Sequence, residues 1–331
     1  GVRGFFAALL TLGMLGPLVM ITAVTVTAFF VMPVLVDVVS ASRFPSLERK
    51  RFGSVTGSVW NTVIALVMRT FEKRWPLERA PNNRLMRTDQ VYTVLNKLGV
   101  IPLAVFAAAY PITQEIEHLV RAMGMAPPRI ERIVPWLHDN ALASFLVYFA
   151  LYDFAAYWVH RAQHRFRWWW ALHSLHHSQR QVTVWSDDRN HVLDDLIVNI
   201  VLALFSQFVG VQPEDYVLIL MVGRMIESWS HANVDMGFGR IGEKLIVGPR
   251  FHRLHHALAN PAEPQIHDHN YAPVFPIWDI LFGTAIFDHR HRPTGVDDDV
   301  IDADNNTGWI GQQVRVFGRF FSALLPHFSR A

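Results

Sequence analysis

The sequence contains no cysteine. This absence excludes disulfide scaffolds, cysteine nucleophiles and thiolate-bound zinc or iron–sulfur sites within the chain. Lysine is also scarce, supplying four of the 30 basic residues, which is typical of a GC-rich, bacterial genome. Charged residues make up only 18% of the chain and the net charge is +2, so we predict no nucleic-acid partner.

Long apolar runs occupy much of the sequence instead, and 51% of the residues are hydrophobic. Runs of about 20 apolar residues are typical of transmembrane helices. We therefore predict an all-α, polytopic membrane bundle. The first run is long enough for one tilted span or for a re-entrant hairpin broken near Gly16. Candidate spans lie at residues 5–39, 95–112, 141–159, 193–211 and 216–229.

Charge in the connecting segments predicts the topology. Residues 43–93 contain ten basic and four acidic side chains, so they should be cytoplasmic. Within them, residues 59–68 are apolar but too short to span, which favours an interfacial helix or one packed on the domain. Counting spans from there places the polar loop 114–136 outside. Residues 160–177 and the chain beyond 231 are then cytoplasmic. We thus predict a multi-pass protein of a bacterial inner membrane.

Histidines recur with helical spacing in three short stretches, HRAQH (160–164), HSLHH (173–177) and HRLHH (252–256). Side chains at i, i+3 and i+4 share one face of a helix, so each stretch could direct its imidazoles to a common point. Neutral imidazole is a good ligand for iron, zinc, copper and nickel. Eight histidines are too many for one ion, which favours two. The candidates are His160, His164, His173, His176, His177, His252, His255 and His256, with His231 in SHAN as a further one.

Other histidines have simpler explanations. Burying the eight without partners would cost desolvation energy, and exposing them would leave their spacing unexplained. An isolated histidine carries no such signal. His191 follows Asp187, Arg189 and Asn190, where a structural salt-bridged turn is the default and a metal or substrate contact the alternative. We expect solvated or hydrogen-bonded side chains at His118, His138, His289, His291 and His327.

Taken together, the three stretches resemble the histidine boxes of the fatty acid hydroxylase/sterol desaturase superfamily of integral-membrane di-iron enzymes. The segments DFAAYWVH (153–160), SHAN (230–233) and HNYAPVFPIWDILFGT (269–284) are also similar to that family. The resemblance covers residues 140–287. We accordingly divide the chain into an N-terminal membrane region with a basic cytoplasmic loop (1–135), a catalytic domain of this superfamily (136–290) and a C-terminal tail (291–331).

The resemblance implies two non-haem irons held by the eight box histidines in a cytoplasmic helical cap, and it makes His231 a ninth ligand. The tenth position stays open. Some relatives have a histidine four residues after the equivalent of His231, where this chain has Asp235. His269 is the first candidate for a tenth ligand, Asp235 is the alternative, and His267 ranks below both.

Aromatic and acidic residues near the boxes suggest supporting roles. Asp153 and Tyr157 lie on the same helical stripe as His160. Asp153 either accepts a hydrogen bond from a ligating imidazole or pairs with an arginine such as Arg161. Residues 168–170 are three tryptophans, which favour an interfacial aromatic belt over substrate contacts. We expect the aromatic side chains of Trp278 and Phe282 to pack the C-terminal segment against the metal-bearing helices.

The resemblance also implies an activity, namely O2-dependent hydroxylation of a C–H bond in a sterol, fatty acyl, ether or ornithine-type lipid, with desaturation as the alternative. The sequence has no cysteine and no dinucleotide-binding GxGxxG context, which implies a separate ferredoxin or cytochrome with its reductase. A membrane metal-binding or transport protein is the rival from another class. Transporters usually place their ligands near the bilayer midplane, whereas these histidines follow the ends of spans.

Overall fold

The computed structural model is all-helical, which confirms the predicted fold class. No strand occurs in the part of the chain that it describes, apart from the isolated bridges Pro76–Val234 and Ala257–Thr294. The predicted span at 5–39 lies outside the described residues. Those residues are 65–78, 83–125, 129–260, 262–263, 268–288 and 290–325.

The helices that build the site follow one another along the chain. They are α1 (65–74), α2 (Asn83–Lys97), α3 (Val100–Ala122), α4 (Ala141–Arg165), α5 (Arg167–His177), α6 (Val192–Val209), α7 (Pro213–His231), α8 (Pro249–His255) and α9 (Trp309–Leu324). Short helical turns lie between them at Ile130–Ile133, Pro135–Asp139, Ser186–Asp188, Gly239–Gly242, Ile277–Leu281, Asp299–Asp302 and Ala303–Asn306.

Two helices, α4 and α6, are each long and apolar enough to cross a membrane. Helices α2 and α3 are long and apolar enough to cross a membrane only if they are taken together, and a bend of 56° separates them. The bend follows from Gly99, whose φ of 77° is left-handed and ends α2. The predicted span 95–112 therefore has other bounds. Helix α3 also continues through Pro111 to Ala122, so the polar loop predicted from residue 114 begins later.

Helix α7 is not among the candidate membrane helices, contrary to the predicted span at 216–229. Its apolar residues are interrupted by Arg224 and Glu227, which form an ion pair at 2.7 Å. Arg224 also pairs with Asp188 at 2.7 Å, so α7 is tied to the polar loop that follows α5. Because the predicted topology counted α7 as a span, the cytoplasmic location of the histidines stays a prediction.

Helix α5 lies at the centre of the packing, between α4 and α9. Its Leu172 and Leu175 are fully buried in a cluster that includes Tyr92 of α2 and Val316 of α9. The segment predicted to be a C-terminal tail thus contributes a helix to the core. This packing fixes the face of α5 that carries its three histidines.

Helix α1 packs on the same body. Its Met68 is buried beside Trp229 of α7. Further along α1, the carboxylate of Glu72 accepts hydrogen bonds from the backbone N–H groups of Val184 (2.7 Å) and Asn233 (2.8 Å). Of the two expectations for residues 59–68, the described part of this segment, 65–68, agrees with packing on the domain.

Replacing Arg189 tests how far the core depends on buried ion pairs. The Arg189 guanidinium lies 3.1 Å from the Asp89 carboxylate, and both side chains are almost fully buried. Arg189→Ala leaves a buried carboxylate without its partner, so the free energy of unfolding should fall by roughly 3–5 kcal/mol. Thermal unfolding of the purified protein in detergent measures this. Arg290→Ala is the matched control, because Arg290 is 67% exposed and solvent screens its ion pairs, so its replacement should change the free energy of unfolding little. Equal melting temperatures for the two variants would contradict the prediction.

Candidate metal centre

Nine histidines converge at two adjacent points. One set, the five-histidine group, draws on α4, α5 and α8, and the other, the four-histidine group, draws on α5, α7 and α8. Within each set the candidate ligand atoms lie within 4.8 Å of one another. The five-histidine group is His160, His164, His173, His177 and His255; the four-histidine group is His176, His231, His252 and His256.

The second and third boxes each supply both groups, instead of directing all their side chains to one point as their spacing suggested. Successive residues of a helix are rotated by about 100°, so i and i+4 nearly coincide while i+3 falls on the other side of i. In α5, His173 and His177 therefore enter one group and His176 the other. The two groups abut, since the rings of His177 and His256 stack with centroids 4.3 Å apart.

In the four-histidine group the Nε2 atoms face one another. His231 Nε2 lies 3.1 Å from His176 Nε2 and 3.0 Å from His252 Nε2. His231 Nδ1 donates to the carbonyl of Glu227 at 2.9 Å, so in the neutral ring Nε2 has no proton. Its single lone pair can accept a hydrogen bond from one of these neighbours but not from both. A cation bound at the shared point would satisfy all of these nitrogens.

Burial determines the protonation state of these rings. It lowers the pKa of His176, His177, His252 and His256 well below the ordinary value, and neighbouring imidazoles lower it further. The four rings are therefore neutral near pH 7 and each offers a lone pair, as metal binding requires. The Nε2 atoms of His173 and His177 are also buried with no hydrogen-bond partner. Orphaned lone pairs at a shared point are what a bound metal ion would satisfy.

A short loop at residues 268–271 orients three imidazoles of the five-histidine group. Two of its backbone carbonyls and one of its carboxylates contact Nδ1 atoms, which turns the Nε2 atoms to the centre of the group. The contacts are Tyr271 O with His160 (2.6 Å), His269 O with His255 (2.6 Å) and Asp268 Oδ1 with His164 (3.2 Å).

Asn270 fixes the shape of this loop. Asp268 and Asn270 both have a left-handed φ of 59°, a conformation that asparagine and aspartate tolerate better than most residues. The Asn270 amide group donates to the carbonyls of Phe251 (3.0 Å) and Ile286 (2.9 Å) and accepts from the Ile286 N–H (2.7 Å). The Asp279 carboxylate accepts hydrogen bonds from the backbone N–H groups of Tyr271 and Ala272. Buried hydrogen bonds thus hold the loop in one conformation.

Two further carboxylates support the site: Asp194, for which the sequence predicted no role, and Asp187, which was expected only in a structural salt-bridged turn. Asp194, in the first turn of α6, accepts hydrogen bonds from His173 Nδ1 (3.1 Å) and from the Trp169 indole (2.8 Å). Asp187 lies 3.3 Å from His231 Nδ1. Burial acts to raise the pKa of Asp187, but Arg224 and His231 hold it below its usual value, so the carboxylate is ionised. Such carboxylates fix the tautomer of a ligating imidazole.

The residues predicted to support the site have other partners. Asp153 contacts neither an imidazole nor Arg161; it accepts hydrogen bonds from the Val274 and Phe275 N–H groups and from the Trp278 indole at 2.9–3.0 Å. It therefore ties the C-terminal segment to α4. Tyr157 supports the same segment through a hydroxyl contact of 3.0 Å with Thr284, which in turn donates to Asp279.

Aromatic packing matches the expectation for the C-terminal segment but not for the three tryptophans. The ring centroids of Trp278 and Phe154 lie 5.0 Å apart, and those of Phe282 and Trp158 lie 4.9 Å apart. These contacts confirm that Trp278 and Phe282 pack against α4. Trp169, by contrast, is buried and hydrogen-bonded to Asp194. The aromatic belt predicted at residues 168–170 is thus wrong for its central member.

The two described candidates for a tenth ligand, His269 and Asp235, lie outside both groups. His269 supplies its backbone carbonyl to the site, and its ring belongs to neither group. Asp235 is half-exposed and pairs with Arg250 at 2.5 Å. His267 lies outside the described residues.

The remaining histidines follow the simpler expectation where the structure describes them. The Nδ1 atom of His191 accepts a hydrogen bond from the Leu193 N–H at the start of α6, and its Nε2 donates to the Gln313 carbonyl. His291 lies 2.8 Å from a carboxylate oxygen of Glu78. His118 and His138 are exposed. His289 and His327 lie outside the described residues.

Comparison with known proteins gives one family and several relatives. The fatty acid hydroxylase family model matches residues 145–284. The chain is 33% identical to alkylglycerol monooxygenase of Homo sapiens over 154 residues, which is 46% of this chain and 32% of that protein. It is 27% identical to a Delta(7)-sterol 5(6)-desaturase of Aspergillus fumigatus over 169 residues, 45% of this chain and 49% of that protein. The matched segment thus spans about a third of the human relative and about half of the fungal one. No solved structure matches the chain significantly.

Replacing Asn270 tests the role of the loop. Asn270→Ala removes three hydrogen bonds and places alanine at a left-handed φ, so the loop should lose its shape. Metal affinity of the five-histidine group should fall by roughly 10–100-fold. Competition with a coloured chelator measures this. The matched control is Asn260→Ala, since Asn260 is an exposed asparagine. Equal metal affinity in the two variants would show that the loop does not orient the ligands.

Proposed function

Because this chain belongs to the fatty acid hydroxylase/sterol desaturase superfamily, we propose that it is a membrane-bound, non-haem di-iron oxygenase. In this proposal it uses O2 and externally supplied electrons to hydroxylate a C–H bond of a membrane lipid. The observation that carries the proposal is the pair of adjacent histidine groups, with nine imidazoles from three boxes and the end of α7. One ion in each group gives the two irons.

The bound irons would supply the activation of O2 that attack on an unactivated C–H bond requires. The protein's own residues would hold the irons and orient the ligating imidazoles. Nine imidazoles provide uncharged nitrogen ligands, while Asp187, Asp194 and the loop 268–271 fix which nitrogen faces inwards. Burial keeps bulk water away from most of the site. The reaction consumes one C–H bond, O2, two electrons and two protons, and it yields one C–OH group and one water.

The electrons in this proposal come from a separate ferredoxin or cytochrome with its reductase. The sequence contains no cysteine to ligate an iron–sulfur cluster of its own. Donor access is available on one side, where a cavity of about 280 Å³ is lined by His164, His177 and His255 of the five-histidine group. A small redox protein docked there would approach the site closely.

An ether lipid is the first substrate class to test. Relatives of this chain include the alkylglycerol monooxygenases of Homo sapiens and of Danio rerio, 33% and 29% identical over the matched segments. Desaturation is the second candidate, because a sterol desaturase is also among the relatives. In hydroxylation, abstraction of one hydrogen is followed by transfer of oxygen to the carbon. In desaturation, abstraction of a second hydrogen takes the place of that transfer.

Metal analysis tests the proposed centre. Protein purified under conditions that retain metal should contain about two irons per chain and should consume O2 only with lipid and reductant present. His176→Ala should lose activity while its insertion into the membrane is retained, because it removes one ligand of the four-histidine group. His118→Ala is the matched control, since His118 is exposed and outside both groups. One zinc and no iron in the wild-type protein would instead favour a metal-binding or transport protein.

Lipid analysis identifies the substrate. We expect a host that expresses the chain to accumulate a lipid heavier by one oxygen atom, and growth under ¹⁸O2 should place the isotope in that lipid. A host expressing the His176→Ala variant serves as the control. A product lighter by two hydrogen atoms would assign desaturation, and identical lipids in both hosts, with the iron present, would contradict the lipid assignment.

A further inference from the structure

Helix α9 has two chemically distinct faces. One face packs on α5 and carries the fully buried side chains of Gln312 and Val316. The opposite face is an apolar stripe at spacings of four, three and four residues, which is one side of a helix. Its side chains are between 46% and 69% exposed, and they are Ile310, Val314, Phe317 and Phe321.

The position of α9 relative to the candidate membrane helices is fixed by hydrogen bonds. Gln313 Oε1 accepts from the N–H of Val192, the first residue of α6, at 3.0 Å. Its backbone carbonyl accepts from His191 Nε2 at 3.1 Å. Phe320 packs against Trp168, three residues after the end of α4. Helix α9 thus lies at the level where α4 ends and α6 begins.

Arginines lie in and beside α9. Arg315 and Arg319 of α9 both pair with the buried Asp304, and α9 itself contains no acidic residue. Arg165 and Arg167, at the junction of α4 and α5, are both exposed, and so is Phe166 between them. An exposed apolar stripe with exposed arginines at the adjacent α4–α5 junction suits the boundary between lipid headgroups and acyl chains.

We propose that α9 is an interfacial helix whose exposed stripe lies in the headgroup region of a lipid bilayer. The bilayer that α4 and α6 are suited to cross would end at this level, so the stripe meets lipid without any change of fold. Because α9 packs on α5, the histidines of α5 would be held directly beside the membrane surface. This inference rests on the placement of α9 and does not require a bound metal.

The absence of native cysteine allows a direct test on the full chain in liposomes. Single-cysteine variants Val314→Cys and Phe321→Cys would carry a nitroxide label, and Arg290→Cys would be the exposed control, since Arg290 lies outside α9. Electron paramagnetic resonance then compares collisions of the label with O2, which concentrates in lipid, and with a water-soluble nickel chelate. We expect the labels at 314 and 321 to collide preferentially with O2, and the label at 290 to collide preferentially with the nickel chelate.

Three results would overturn the proposal. Nickel access at 314 and 321 equal to that at 290 would place the stripe in water. Protection from both reagents would show that protein covers it, such as residues 1–64 of the same chain. Dipolar broadening between labels would show a second copy there. None of these readouts depends on catalysis, so loss of the proposed oxygenase activity would leave the test intact.

Discussion

Nine imidazoles, most of them buried, converge on two points, and the rest of the structure depends on how their nitrogens are satisfied. Each ring must leave water, which costs free energy unless its nitrogens find partners. Direct hydrogen bonds between the rings cannot satisfy them all, because His231 Nε2 faces two other Nε2 atoms with one lone pair. Two shared cations, as proposed, would satisfy them, and the surrounding structure would then serve to hold the rings in place.

That support comes from backbone as much as from side chains. The carbonyls of His269 and Tyr271 each hold an Nδ1 atom, and their aim depends on a left-handed bend at Asn270. The bend in turn depends on Asp279 and on Asp153, which anchors residues 274–278 to α4. A chain of buried polar contacts therefore links the middle of a candidate membrane helix to the histidine groups.

The sequence predicted which histidines come together better than how they are arranged. Helical spacing identified the eight box histidines, and the family resemblance strengthened the case for His231, because both signals are local. The division of each box between two groups depends on how α5 and α8 face each other, which spacing does not contain. The contacts of Asp187 with His231 and of Asp194 with His173 were not predicted, because these partners are 44 and 21 residues away in the sequence.

The membrane segments show the same limit. Apolar length identified α4 and α6. In α7 it hid the significance of Arg224, which is partly exposed and forms ion pairs with Asp188 and Glu227. Asp153 could be recognised as a costly acid within a span, yet its true partners are backbone groups more than 120 residues away. Local patterns specify elements, whereas the choice of partner is a property of the assembled bundle.

One consequence of the shared boxes concerns the distance between the two points. Because α5 and α8 each place side chains in both groups, two stiff rods set that distance, and no flexible connection intervenes. Neighbouring residues such as His176 and His177 belong to different groups, so inserting a single residue ahead of them would rotate the helix by about 100° and redirect both side chains. Loops that do not contact the histidine groups can vary in length, but within these two helices only substitution preserves the geometry.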